Sequence, residues 1–179
     1  TEKDHPEANR RERRPLTLLE IFRQQESRRR VFLVFLLSFA SMVGWYAISP
    51  WLPAYTQELA RAGQHANPLE WANRAAILYT IGAVIGYLVS GFLIDRIGRR
   101  KFLFATYAGS LIMTLITYGW VSSVESMMPV ALINGFFTLG LAYSWMAIYL
   151  AELFTTTVRS TASSFVFNGT RLTAWFFPI

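Results

Sequence analysis

The chain has 179 residues, 53% hydrophobic and 16% aromatic but only 16% charged, with a formal net charge of +6. Soluble domains carry about 25% charged residues, so this shortage, with a mean hydropathy of +0.31, argues against a soluble enzyme and for a membrane protein. There is no cysteine, which excludes a disulfide framework and thiolate chemistry.

Residues 1–30 are polar and hold nine of the lysines and arginines. The first dozen read as disordered. After Pro15, the apolar residues Leu16, Leu18, Leu19 and Phe22 suit a short amphipathic helix on the membrane surface. A basic leader of this kind suits anionic lipid rather than nucleic acid, and no nucleic-acid partner is expected. It has no apolar stretch of the signal-peptide type. The chain starts at Thr1 and ends inside an apolar run, so it reads as a fragment cut at both ends.

Five apolar stretches follow: about 31–51, 71–94, 102–122, 127–154 and 160–179, the last truncated. Each complete one reaches or approaches the roughly 20 residues that cross about 30 Å of hydrocarbon. Backbone groups there must bond within their own segment, so the stretches are expected to be helices. Residues 54–70, with Glu58, Arg61 and Glu70, are expected to form a loop. Basic residues alternate between loops: Arg28–Arg30 before the first span, Arg96, Arg99, Arg100 and Lys101 between the second and third, Arg159 between the fourth and fifth. The positive-inside rule places these on the cytoplasmic side of a multi-pass protein of the plasma (inner) membrane. Trp45, Trp51, Trp71 and Trp120 fall where an aromatic belt would lie on the other side. Small residues at Gly82, Gly86 and Ser90, and at Ala105 and Gly109, form stripes that let helix backbones approach.

The loop Gly91-Phe92-Leu93-Ile94-Asp95-Arg96-Ile97-Gly98-Arg99-Arg100-Lys101 carries more than orientation. Its cations account for topology, but carboxylates matter little to it. Asp95 therefore calls for a partner, either a cation or a helix N-terminus. Gly91, Leu93, Asp95, Arg96, Gly98, Arg99, Arg100 and Lys101 match the signature loop of the major facilitator superfamily, which the chain resembles from about Val31 to its end. The segment from Tyr149 to Ala162, with Glu152 and Arg159, is similar to one found in its metabolite and sugar-porter-like members. Thr155 stands where those usually have proline.

The resemblance implies an all-α membrane protein, about five helices of a twelve-helix fold. The leader resembles the charged loop between the two halves, which makes this the C-terminal half and the missing N-terminal half its partner; the first half is the alternative. It also implies a gate: Asp95 would meet Arg159 and the start of the fifth span, and Glu152 would pair with Arg99 or Arg100, with Gly91, Arg96 and Gly98 shaping the loop.

Candidate substrate-binding residues come from spacing. Arg171 lies twelve residues past Arg159, about 18 Å along a helix, which is near the bilayer centre. A cation there costs about 3 kcal/mol. Ser164, Asn168, Arg171 and Trp175 share one helical face. Asn134, Thr138 and Trp145 lie close to one face of the fourth span; Ser38, Ser41, Trp45 and Ser49 do so on the first. Tyr79 and Thr80 are candidates on the second. No carboxylate lies deep in any span, there is no phosphate-binding loop, and both histidines, His5 and His65, fall outside the spans. Neither an enzyme nor a cofactor or metal is expected.

These features read as a secondary active transporter for a small solute, an organic anion or a sugar-like metabolite. It would work by alternating access, in the manner of a symporter coupled to a proton or sodium ion. The alternative is a non-transporting membrane receptor or scaffold with the same fold.

Overall fold

The computed structural model describes residues 25–153 and 159–174, all of them in helices or short turns. The side chains of Glu152 and Arg159 lie outside that description, as do Trp175 and the expected surface helix of the leader. The helices are α1 (Gln25–Ile48), α2 (Trp51–Ala62), α3 (Pro68–Ile97), α4 (Arg99–Gly119), α5 (Val124–Gly135), a π-helical segment (Phe136–Leu141), α6 (Ala142–Leu153) and α7 (Arg159–Ala174). Among the described residues, four stretches are long and apolar enough to cross a membrane: Val31–Ala62, Pro68–Ile97, Arg99–Gly119 and Val124–Met146.

Residues expected to form a loop after position 53 are helical instead. Pro50 sits at φ −64° and ψ −21°, so the proline interrupts hydrogen bonding while its ring angle stays compatible with a helix. Leu52 N–H reaches back to Ser49 O at 3.3 Å, and the chain turns straight into α2. That helix buries Leu52, Thr56 and Ala60, one face at four-residue spacing. Trp45 stands near the end of α1 and Trp51 is the first residue of α2. The other starts and stops move by a few residues. Pro68 opens α3 at a position that needs no N–H, and Ser123 caps α5 by accepting from Ser126 N–H at 3.3 Å.

Size sorts the residues of α3 in the direction opposite to a soluble core. Its buried face is mostly small: Ala72, Ala75, Gly82, Ala83, Gly86 and Ser90, with Tyr79 and Ile94. Its bulky residues point out, Ile77 at 59% and Leu88 at 79% exposure. Hydrocarbon solvates such side chains, so the interior is free to be built from close backbones. The Cβ of an alanine at Gly86 would stand 2.7 Å from Phe136 O and 2.9 Å from Gly140 Cα. One at Gly140 would stand 2.6 Å from Ala83 O, and one at Gly82 would overlap the Leu132 carbonyl. Helix α3 thus lies against α5 and the π segment backbone to backbone. On α4, Gly109 packs on the Phe137 ring, while Ala105 is exposed and takes no part.

Three apolar clusters complete the bundle. Val31, Met42, Trp145, Met146, Ala162 and Val166 join α1, α6 and α7. Leu52, Ala75, Tyr79, Met127 and Ala131 join α2, α3 and α5. Ile94, Phe102 and Leu141, with Ile148 and Tyr149 against them, seat the turn between α3 and α4 on α6.

Candidate functional site

A chain of hydrogen bonds crosses the apolar interior. Trp45 on α1 donates its indole N–H to Tyr79 OH on α3 at 3.1 Å. Tyr79 OH lies 3.1 Å from Ser49 Oγ and 3.0 Å from Thr138 Oγ1. Thr138, in the π segment, donates to Asn134, whose O is 2.7 Å and Oδ1 2.9 Å away. Asn134 Nδ2 donates to Thr117 Oγ1 on α4 at 2.6 Å, and Thr117 to Met113 O at 2.6 Å. An indole can only donate and a carbonyl can only accept, which fixes the direction at the two ends, while between Tyr79 and Thr138 either hydroxyl can be the donor. Tyr79, Asn134, Thr138 and Thr117 are all buried, and an unmet polar group here would cost several kcal/mol, about 2–7.

Local backbone chemistry supports this arrangement. In the π segment, Thr138 Oγ1 takes the Asn134 carbonyl and Ser144 Oγ takes the Leu141 carbonyl at 2.8 Å. Hydroxyls thereby satisfy carbonyls at both ends of the widened turn. A cavity of about 190 Å³ adjoins the chain between α1, α4 and the start of α6. Ser41, Trp45, Ser49, Tyr107, Thr138 and Tyr143 are in its wall. Ser41 donates to Leu37 O at 2.7 Å, which leaves its oxygen to accept from Tyr107 OH at 2.5 Å.

Trp45, Asn134 and Thr138 are thus brought together, with Tyr79 between them. The remaining candidates sit elsewhere. Trp145 is 1% exposed in the core of α1, α6 and α7 and packs edge-on to Tyr149. Asn168 and Arg171 are exposed on α7, whose opposite face buries Ala162, Val166 and Thr170. Asn168 Nδ2 bonds its own helix at Ser164 O, 3.0 Å away, and the Arg171 guanidinium lies 4.4 Å from the Phe167 ring centroid. Among the described residues no carboxylate pairs with Arg171. Thr80 is exposed and bonds Ala76 O. Sequence spacing missed Tyr107 and Thr117 on α4. The signal was the row Phe102, Thr106, Met113 and Thr117, which recurs at helical spacing and is the buried face of α4.

At the signature loop, Gly98 has φ +81° and ψ 151°, a conformation essentially restricted to glycine. Its N–H bonds Ile94 O and its O accepts from Phe102 N–H, each at 3.0 Å, so it closes one helix and opens the next. Asp95, Arg96, Arg99 and Arg100 are exposed. Arg96 lies over Phe92, and the Arg99 guanidinium is 5.7 Å from the Tyr149 ring. Tyr149 is three residues before Glu152, about one turn. Gly91 has open space where a Cβ would stand; packing among these helices does not require a glycine there. The expected pairings of Asp95 with Arg159, and of Glu152 with Arg99 or Arg100, involve side chains outside the described residues.

A family model described as Major Facilitator Superfamily matches residues 34–179. The chain belongs to that superfamily. It is 26% identical over 161 residues to a cis,cis-muconate transport protein of Acinetobacter baylyi, covering 87% of the chain and 36% of the relative. It is 26% identical over 136 residues to a putative metabolite transport protein of Haemophilus influenzae, 76% of the chain and 32% of the relative. It is 33% identical over 89 residues to a putative glycerol-3-phosphate transporter of Arabidopsis thaliana, 48% of the chain and 17% of the relative. The chain spans about a third of the length of the first two. No solved structure matches it. Family membership and the four apolar helices make it part of a multi-pass membrane protein of the superfamily.

Proposed function

We propose that the chain is the C-terminal half of a secondary transporter that moves a small organic anion by alternating access. The observation that carries the reading is the buried polar chain from Trp45 to Thr117 beside a cavity inside apolar spans. Such a chain fixes the ring of Trp45 and the hydroxyl of Thr138 at the cavity wall, as pre-organised contacts for a solute. Asn134, with both amide atoms engaged, holds Thr138 in place. The preference for an anion rests on Arg171 and Asn168, exposed on one face of α7, and on the muconate and glycerol-3-phosphate in the relatives' names. In this reading that face turns toward the other half, where transporter sites lie. Trp145 supports the site from the core.

On the opposite surface of the gate, Asp95 would cap α7 beside Arg159, and Glu152 would hold Arg99 or Arg100. The position of Arg99 against Tyr149 supports the second pairing. Among the described residues, carboxylates stand near helix ends or in turns, not in the middle of a span, so coupling to a proton or sodium ion would use groups elsewhere in the protein.

The test is Tyr79→Phe in the full-length protein, with uptake of labelled cis,cis-muconate and glycerol-3-phosphate. The change keeps the ring and removes the hydroxyl that orients Trp45 and Thr138. KM should rise about tenfold, the effect of one lost hydrogen bond in a site, while folding is retained. An unchanged KM would remove the cavity as the substrate site.

A further inference from the structure

The hydroxyls around the cavity between α1, α4 and α6 fall into two kinds. Each hydroxyl has one hydrogen and two lone pairs. In the first kind the hydrogen is spent within the protein. Ser41 gives its hydrogen to Leu37 O and takes that of Tyr107. Thr138 gives its own to Asn134 or to Tyr79. Tyr143 directs its hydrogen to Met42 Sδ, 3.4 Å away, and the Trp45 N–H is held by Tyr79 OH. What Tyr107, Thr138 and Tyr143 have left to offer is lone pairs.

The second kind is Ser110 and Thr114, one turn apart on α4 and on the same face as Tyr107. Both line the cavity and are half-buried. Thr56, Thr80, Thr117 and Thr170 each bond the carbonyl four residues back in their own helix, where a hydroxyl in a membrane helix commonly rests. Among the described residues, Ser110 and Thr114 make neither that bond nor another. Their hydroxyls can donate as well as accept.

The wall holds no charged side chain and no amide. A carboxylate or phosphate moved into it would lose its water and meet lone pairs with no cation to offset them, which is costly. A solute hydroxyl fits both kinds at once: it donates to a lone pair of Tyr107 or Thr138 and accepts from Ser110 or Thr114. Trp45 and Tyr143, edge to face with ring centroids 5.9 Å apart, supply apolar surface for a carbon skeleton. The volume of about 190 Å³ is below the roughly 300–1,000 Å³ of sites that bury drug-sized ligands, so the cavity takes one end of a small solute.

We propose, on the reading of this cavity as the substrate site, that the transported solute is a hydroxylated organic anion: its uncharged, hydroxyl-bearing end enters the cavity and its anionic group is bound outside it. A hydroxy acid or a polyol phosphate then ranks above an anion of the same charge that lacks hydroxyls.

Matched pairs test this by calorimetric titration of the full-length protein in lipid nanodiscs: malate against succinate, and glycerol 3-phosphate against propyl phosphate. The hydroxylated member should bind about tenfold tighter, the worth of one or two hydrogen bonds. In the double variant Ser110→Ala, Thr114→Val that advantage should fall below about threefold. Succinate and propyl phosphate should bind the double variant as they bind the wild type, which shows that the fold is kept. A hydroxyl-free probe that binds as well as its partner, or hydroxylated probes that bind the wild type no better than the double variant, would overturn the hydroxylated solute. Tyr79→Phe separates this from the cavity itself. Weaker binding of all four probes to Tyr79→Phe, with no hydroxyl preference in the wild type, keeps the cavity as the site and removes the hydroxylated solute alone. Binding to Tyr79→Phe at the wild-type level removes both.

Discussion

Thr117 shows how a residue can matter to a site without touching it. It is fully buried, accepts from Asn134 and donates to its own helix at Met113. Thr117→Val keeps the shape but leaves the Asn134 amide without its acceptor, at a cost of about 1–3 kcal/mol. Thermal melting should show that loss, and Thr117→Ser should restore most of it. If Thr117→Val melts with the wild type, the bond contributes nothing. Asn134, Thr138 and Trp45 were legible in the sequence because polar groups at helical spacing stand out in an apolar span. Thr117 was not, since threonine in a membrane helix commonly bonds its own backbone, as Thr56, Thr80 and Thr170 do here. Only the crossing of α4 and α5 gives it a second partner.

For the helices, the decisive surface is the contact of α3 with α5 and the π segment. Gly86→Ala would press a methyl group onto backbone atoms at 2.7 and 2.9 Å. Backbone cannot rotate away, so the helices must separate, at about 1–3 kcal/mol. Gly91→Ala lies five residues further along α3 with nothing within 4 Å. It should be neutral to folding or stabilising by up to about 1 kcal/mol, since alanine is the better helix former. Melting of the two variants side by side checks this; equal effects would contradict the backbone packing. The Gly82, Gly86 and Ser90 stripe was visible in the sequence, but the partner surface was not. Gly135 and Gly140 are five apart, off the four-residue spacing of a regular helix, and the π segment between them brings both against α3. The helical run after Pro50 was likewise hidden, because prolines and charges read as a loop until Leu52, Thr56 and Ala60 find a buried face on the neighbouring helices.

For the whole molecule, the two ends of the bundle differ. One end carries the basic loop, which reverses at Gly98 and leaves Asp95 exposed; the other carries the His65–Glu125 pair. Asp95→Asn should leave insertion and folding intact and reduce transport about tenfold, if the carboxylate biases one conformer by about 1–2 kcal/mol; wild-type rates in that variant would remove the gate. Class was legible because hydrocarbon imposes strict rules on the length and composition of a span. Cargo was not, because the cavity wall is hydroxyl and aromatic and only Arg171 bears charge on α7 beyond its first residue. Arg171 is accordingly where the central claim is most exposed. The direct measurement is uptake of a panel of small organic anions, cis,cis-muconate and glycerol-3-phosphate included, by the full-length protein in proteoliposomes. Arg171→Ala should cut uptake of the transported anion about tenfold to a hundredfold, the worth of a charge-assisted contact, with Arg171→Lys between. Undiminished uptake in Arg171→Ala would contradict an anion site on this face.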